Sequence, residues 1–271
     1  MTRGRSGRRR TRPVDVTIGG RRPVLEAVRA GLAREVLVAR SARATAALRD
    51  LLDAASTLGV PVRTLDAREI DALVPERNQG VATRVRMPQP LVEAELARHG
   101  WDDDALVVAL DGITDPHNVG AIARSAEAAG AAVLIVRTVR GAAIGPAAVR
   151  SSAGALLHLR VAAVANISRA LERLKDAGFW IAGLAPEGRP DAQRPPGRLA
   201  LVVGSEGEGL SRLVRESCDD LVSIPMRGRV GSLNASSAAA VALFGYASGL
   251  LLYGAPGRGP TGRIGGKAGI R

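Results

Sequence analysis

Between Leu201 and Ala240 the chain reads LVVGSEGEGLSRLVRESCDDLVSIPMRGRVGSLNASSAAA. Two short apolar runs are each followed directly by a polar loop, an order that belongs to buried strands with a site at one end. Leu201-Val202-Val203 breaks at Gly204, and Gly204, Gly207 and Gly209 permit a tight turn that carries Ser205, Glu206 and Glu208. Leu221 to Ile224 is a second strand, ended by Pro225 and followed by the loop Met226 to Gly231. Ser232-Leu233-Asn234 then leads into an alanine-rich helix expected from Ala235 to about Leu252, capped by Ser232 or Asn234, with its first N–H groups turned toward the same cleft.

A third segment has the same form. Leu106 to Leu110 reads as a strand, Asp111 to Gly120 as a loop, and Ala121 to Ala129 as a helix with Arg124 one turn in. Residue types alone therefore define an α/β domain with a polar cleft at the carboxyl ends of its strands.

Together the three segments resemble the SpoU family of RNA ribose 2′-O-methyltransferases. Asn118, Gly120 and Arg124 match its first motif; Gly204, Glu206, Gly207 and Gly209 through Ile224-Pro225-Met226 match the second; Ser232-Leu233-Asn234 matches the third. The resemblance spans roughly Leu106 to Leu252. It implies a C-terminal SPOUT methyltransferase domain with a deep trefoil knot, S-adenosylmethionine held by Gly204, Ile224, Met226 and Leu233, and a homodimer. It also implies a chemical step at Arg124, Glu206, Asn234 and Ser232, with Asn118 on the RNA. A free guanidinium has a pKa above about 12 and is a poor base, so the expected role of Arg124 is to bind a phosphate and stabilise the developing alkoxide. Glu206 is expected either to orient Arg124 or to serve its own turn. His117 reads as a loop residue, and Ser151 to Ala155 as a small-residue segment for close packing.

Ahead of this domain lies a second α/β alternation. Arg22 to Arg29 begins a helix, Glu35–Val38 is a strand, Ala44–Leu58 a helix and Val60–Leu65 a strand; Ile70–Val74 and the loop Pro75 to Ala82 follow. This unit resembles the smaller, ribosomal-protein-L30e-like α/β/α substrate-binding domain of the branch that methylates a guanosine of 23S ribosomal RNA. Arg22, Asn78 and Gln79 are its candidate RNA contacts, Asn78 standing where that branch commonly has histidine; Asn78 and Gln79 read equally as ordinary turn residues. The expected organisation is a basic tail at 1–13, the L30e-like domain at 14–87, a proline-bearing linker at 88–104, the methyltransferase domain at 105–254 and a second basic tail at 255–271.

The charge of +12 is concentrated at the ends of the 271-residue chain. Residues 1–12 carry six arginines and no acid, and residues 254–271 carry Arg258, Arg263, Lys267 and Arg271 without an acid. Such arms are expected to be disordered in the free protein and to strengthen RNA binding through phosphate contacts. Aromatic residues are only 2% of the chain, which argues against a base-stacking sheet. One cysteine, Cys218, rules out an internal disulfide, and three histidines make a zinc site a poor fit, so no metal is expected. No apolar run reaches the roughly 18 residues of a membrane span and no secretory signal opens the chain, so the expected compartment is the cytoplasm.

Three functions compete at this point: methylation of 23S ribosomal RNA, the same reaction on transfer RNA or another ribosomal nucleotide, including the antibiotic-resistance members of the family, and an RNA-binding assembly factor without catalysis. The presence of Arg124, Glu206 and Asn234 argues against the last. A dinucleotide-binding dehydrogenase is excluded, because G-S-E-G-E-G at 204–209 is not G-x-G-x-x-G and falls late in the domain.

Overall fold

The computed structural model describes residues 15–138, 144–190, 193–229 and 231–247. The basic tails lie outside the described residues.

Residues 15–86 form β1 (Asp15–Gly19), α1 (Arg21–Arg29), β2 (Ala33–Ala39), α2 (Ala46–Thr57), β3 (Val62–Leu65), α3 (Ala67–Leu73) and β4 (Val81–Arg86). The sheet order is β1-β4-β2-β3, with β4 antiparallel to β1 and β2, and β2 parallel to β3. Alternation along β2 divides the core: Val36 and Val38 meet Val24, Val28, Leu48 and Leu51 of α1 and α2, whereas Leu37 and Ala39 meet Ile70 of α3. Two strands escaped the sequence reading. β1 precedes the first recognised helix, and β4 begins at Val81, inside the expected loop. Ile70–Val74 proves to be mostly helix, because Asp66 and Glu69 close a capping box that starts α3 one turn earlier.

The larger unit contains α4 (Glu93–Leu96), β5 (Leu106–Asp111), α5 (Pro116–Ala128), β6 (Val133–Arg137), α6 (Pro146–Ser151), a single 3₁₀ turn (Ala155–Leu157) and β7 (Arg160–Val164). It continues with α7 (Ile167–Asp176), β8 (Trp180–Arg189), β9 (Leu199–Gly204), α8 (Arg212–Glu216), β10 (Asp220–Val222) and α9 (Ala235–Ala247). All six strands are parallel, in the order β10-β8-β9-β5-β6-β7. β5 and β9 are apolar and buried on both sides, as helices on both faces require. Val108 and Leu110 pack toward Ile122 of α5 and Leu243 of α9; Val107 and Ala109 pack toward Leu171 and Leu174 of α7.

α5 starts at Pro116, not at Ala121 as expected. Asp115 caps it, accepting from the backbone N–H groups of His117 at 3.1 Å and Asn118 at 3.3 Å, and Pro116 occupies the first turn where its missing N–H is harmless. Part of the helix expected after Asn234, and part of the C-terminal segment expected to form a knot, fall on residues outside those described.

The proline-bearing connection does not hang free. Leu91 pairs with Ala162 at the edge of β7, accepting from Ala163 N–H at 3.0 Å, and Leu96 is fully buried. The ring of Trp101 sits edge-on to Phe179 at 4.9 Å.

The two sheets meet through Ser151 to Leu159. Ile18, Ala27 and Val85 share a core with Leu156, Leu157 and Leu159, His158 Nε2 lies 3.1 Å from Glu26 Oε2, and Arg150 pairs with Glu76. A Cβ at Gly154 would stand 2.6 Å from that of Glu26. The small residues of this stretch thus serve packing between the units.

Candidate active site

β5 and β9 are neighbours at the centre of the parallel sheet, with Asp111 opposite Gly204. From β5 the chain builds outward through β6 and β7, and then returns to the other side to lay down β8, β9 and β10. This reversal opens a crevice at the carboxyl ends of β5 and β9, where doubly wound sheets bind ligands.

Each wall of the crevice is locally fixed. After β9, Ser205 and Gly209 exchange backbone hydrogen bonds of 3.1 and 3.0 Å, and Gly207 and Gly209 take left-handed conformations (φ 84° and 68°) that glycine adopts without strain. Gly204 is one of the positions expected to hold S-adenosylmethionine. Its missing side chain instead admits its own loop: a Cβ there would lie 2.3 Å from the carbonyl carbon of Gly209. Gly120 likewise serves packing, since a Cβ would meet the carbonyl oxygen of Ala148 at 2.5 Å. Asp111 Oδ2 accepts from Ser211 N–H at 2.7 Å and ties the end of β5 to the loop after β9.

Glu206 joins the three segments. Its Oε1 accepts from Asn118 Nδ2 at 2.9 Å, from Asn234 Nδ2 at 2.5 Å and from the Ala235 N–H at 3.5 Å. Asn234 Nδ2 also reaches Asn118 Oδ1 at 3.1 Å. The oxygen of the Asn234 side chain faces its own helix and accepts from Ser236 N–H at 2.9 Å and Ser237 N–H at 3.4 Å, so Asn234 is the cap of α9. Ser232 is exposed and makes no such contact among the described residues. Segments separated by up to 116 residues in sequence are thereby held at one carboxylate.

Glu206 does not bond to Arg124, contrary to one of the two roles expected for it. Arg124 projects exposed from α5, and among the described residues its guanidinium has no ion-pair partner. Met226 and Leu233 stand 41% and 39% exposed on the loops that flank Glu206, while Ile224 is half-buried. A fixed carboxylate and the N-terminus of α9 meet at the crevice loops, while Arg124, expected one turn into its helix, stands as the ninth residue of α5. Among the described residues no group of three histidines, cysteines or carboxylates is arranged to hold a metal. Cys218 lies behind β8 and is no nucleophile: burial pushes its thiol up to about 11.

In the smaller unit Asn78 is buried and fully engaged, donating to Asp71 Oδ1 at 2.8 Å and Val74 O at 3.0 Å and accepting from Gly80 N–H at 2.8 Å. Gln79 takes a left-handed backbone (φ 56°), and its Oε1 accepts from Arg21 N–H at 3.0 Å. Arg22 is exposed. The neighbour missed in the sequence, Arg21, is the arginine that reaches these loops; one step along a helix turns a side chain by about 100°, which a sequence string does not display.

Comparison with known proteins identifies the family of both units. Residues 105–244 match the SpoU rRNA methylase family, and residues 17–91 match the RNA 2′-O ribose methyltransferase substrate-binding family. The 23S rRNA (guanosine-2′-O-)-methyltransferase RlmB of Pseudomonas putida is 40% identical over 201 residues, 73% of this chain and 81% of the relative. Among solved structures, the SpoU methyltransferase AviRb of Streptomyces viridochromogenes in complex with AdoMet superposes with a TM-score of 0.70 at 30% identity, covering 90% of this chain and 94% of that one. An RNA 2′-O ribose methyltransferase superposes with a TM-score of 0.68 at 28% identity over 85% and 86% of the two chains.

Fold and site together define an S-adenosylmethionine-dependent RNA ribose 2′-O-methyltransferase. The chain belongs to the SpoU rRNA methylase family.

Proposed function

We propose that this enzyme methylates the ribose 2′-hydroxyl of a guanosine in 23S ribosomal RNA, acting in the cytoplasm as a homodimer. The observation that carries the reading is the junction of Asn118, Glu206 and Asn234 at the carboxyl ends of β5 and β9, in a chain that also has the substrate-binding unit. The RNA named for the Pseudomonas putida relative supports the choice of substrate. The homodimer and the trefoil knot rest on the family likeness, and the absence of any helix long and apolar enough to cross a membrane, among the described residues, is compatible with the compartment.

The site fits the methyl donor. Met226 and Leu233 offer apolar surface for an adenine ring on loops otherwise polar, and Ile224 with the backbone after Gly204 completes that side of the crevice. S-adenosylmethionine, when bound, supplies a methyl group already activated on sulfur, which leaves the chain the tasks of orientation and charge control. Glu206 holds Asn118 and Asn234 in one geometry. Asn234 fixes the N-terminus of α9, whose dipole faces the crevice. Arg124, always cationic and without a partner among the described residues, binds an RNA phosphate and stabilises the alkoxide as the hydroxyl loses its proton to a phosphate oxygen or to water. In this reading Ser232, exposed ahead of α9, is available to the ribose, and the exposed Arg22 to RNA backbone at the smaller unit.

Mapping 2′-O-methyl groups by mass spectrometry, after incubating the protein with S-adenosylmethionine and either 23S ribosomal RNA or transfer RNA, tests the proposal. One methylated guanosine in the ribosomal RNA is expected. Methylation confined to transfer RNA would overturn the substrate.

A further inference from the structure

A cavity of about 480 Å³ opens in the smaller unit, away from the methylation site, between α3 and the loops that follow β2 and precede β4. This volume is that of a small-ligand site. Its wall is built, not incidental. The guanidinium of Arg21 is held by Thr45 Oγ1, by Arg43 O at 2.7 Å and by Gln79 O at 3.4 Å. The Asn78 side chain, only 8% exposed as a residue, pins Asp71 through Oδ1. Asp71 Oδ2 has no hydrogen-bond partner among the described residues, and Asp71 lines the cavity. The lining sets two positive charges, Arg21 and Arg43, against this one carboxylate and also includes the small side chains of Ala39, Ala42 and Ala67.

Such a lining selects an anion that also presents hydrogen-bond donors to a carboxylate. Among the RNA bases, guanine alone offers two adjacent donors, N1–H and N2–H, on its pairing edge. Adenine and cytosine place a ring acceptor beside their amino group, and uracil places its one N–H between two carbonyl oxygens; each would set an acceptor against Asp71. Pairing edges are free only in unpaired RNA. We infer that this cavity holds one unpaired guanosine of the RNA substrate, distinct from the methylated nucleotide, with Asp71 on the base edge and Arg21 and Arg43 toward its phosphates. The inference rests on the RNA methyltransferase reading and adds an anchor nucleotide to it.

Binding of the full-length protein to nine-nucleotide RNAs, uridine throughout except for a central guanosine, adenosine or inosine, tests this by fluorescence anisotropy. The guanosine strand should bind at least tenfold tighter than the adenosine strand, and inosine, lacking N2–H, should fall between. Asp71→Asn preserves an oxygen for Asn78 and should reduce the guanosine preference to less than twofold; in methylation assays it should raise KM for RNA about tenfold with kcat unchanged. Equal binding of the three strands, or a preference that survives Asp71→Asn, overturns the guanosine pocket. Failure of the wild-type protein to methylate any RNA would instead overturn the parent reading, since strand preference is measured without methyl transfer.

Discussion

The Asn234 side-chain amide donates to Glu206 Oε1 at 2.5 Å while its oxygen caps α9, so one asparagine couples the loop after β9 to the start of the last described helix. Asn118 reaches the same carboxylate oxygen from α5. Three donors converge on one charged acceptor. Charge-assisted hydrogen bonds contribute about 1.5–3 kcal/mol each against about 1 for neutral ones. Glu206→Gln keeps an acceptor but not the charge and should reduce kcat roughly tenfold, the equivalent of about 1.4 kcal/mol. Glu206→Ala leaves the Asn118 amide and the Ala235 N–H unpaired and the Asn234 amide with Asn118 Oδ1 alone, and should lose more than about 100-fold, with a lower Tm. Steady-state methylation and thermal unfolding of both variants check this, and equal activity of Gln and Ala would show that the charge is idle.

Arg124 is exposed and makes no ion pair among the described residues, so its removal should leave the fold intact. Arg124→Ala and Arg124→Lys should change unfolding free energy by less than about 0.5 kcal/mol, the range of exposed positions free of special features. Turnover should fall about 100-fold or more in both, because lysine lacks the planar fork that meets phosphate oxygens in pairs. Near-normal turnover of the lysine variant would refute the phosphate clamp.

Gly120 has no room for a side chain. A Cβ would meet the Ala148 carbonyl oxygen at 2.5 Å and Ser151 Cβ at 2.6 Å, both part of α6. Gly120→Ala should destabilise by about 1–3 kcal/mol through forced separation of α5 and α6, outweighing the roughly 1 kcal/mol that alanine gains over glycine inside a helix. Denaturant unfolding measures the balance; a more stable variant would show that the helices separate freely.

Cys218 supplies a pH test. Burial raises its thiol from 9.0 to about 11, and the thiolate is the reactive form. Alkylation by iodoacetamide in the folded protein should be slow at pH 8 and rise toward pH 11. The folded state binds this proton more tightly than the unfolded state, so the contribution to stability is complete below about pH 9 and is lost as pH rises toward 11. Rapid labelling at pH 8 without unfolding would contradict the burial.

The sequence by itself determined the α/β character of the larger unit and which loops carry chemistry, because the runs at Leu106–Leu110 and Leu201–Val203 are short and apolar and end at polar, glycine-bearing turns. It also contained, unread, the Asp115-Pro116 start of α5 and the Asp66–Glu69 capping box of α3, both local signals. β1 and β4 were less legible: short strands draw their stability from partners across the sheet, and neither declares those partners in its own residues. Only the tertiary structure decided what the motif residues touch. It turned Glu206 toward Asn118 and Asn234 and away from Arg124, gave Gly204 to its own loop and Gly120 to α6, and buried Asn78 against Asp71. Periodicity along a chain reports which face of an element is buried. The hydrogen-bond partner of a polar side chain depends on how strands distant in sequence are ordered, and here the β5–β9 pairing sets it.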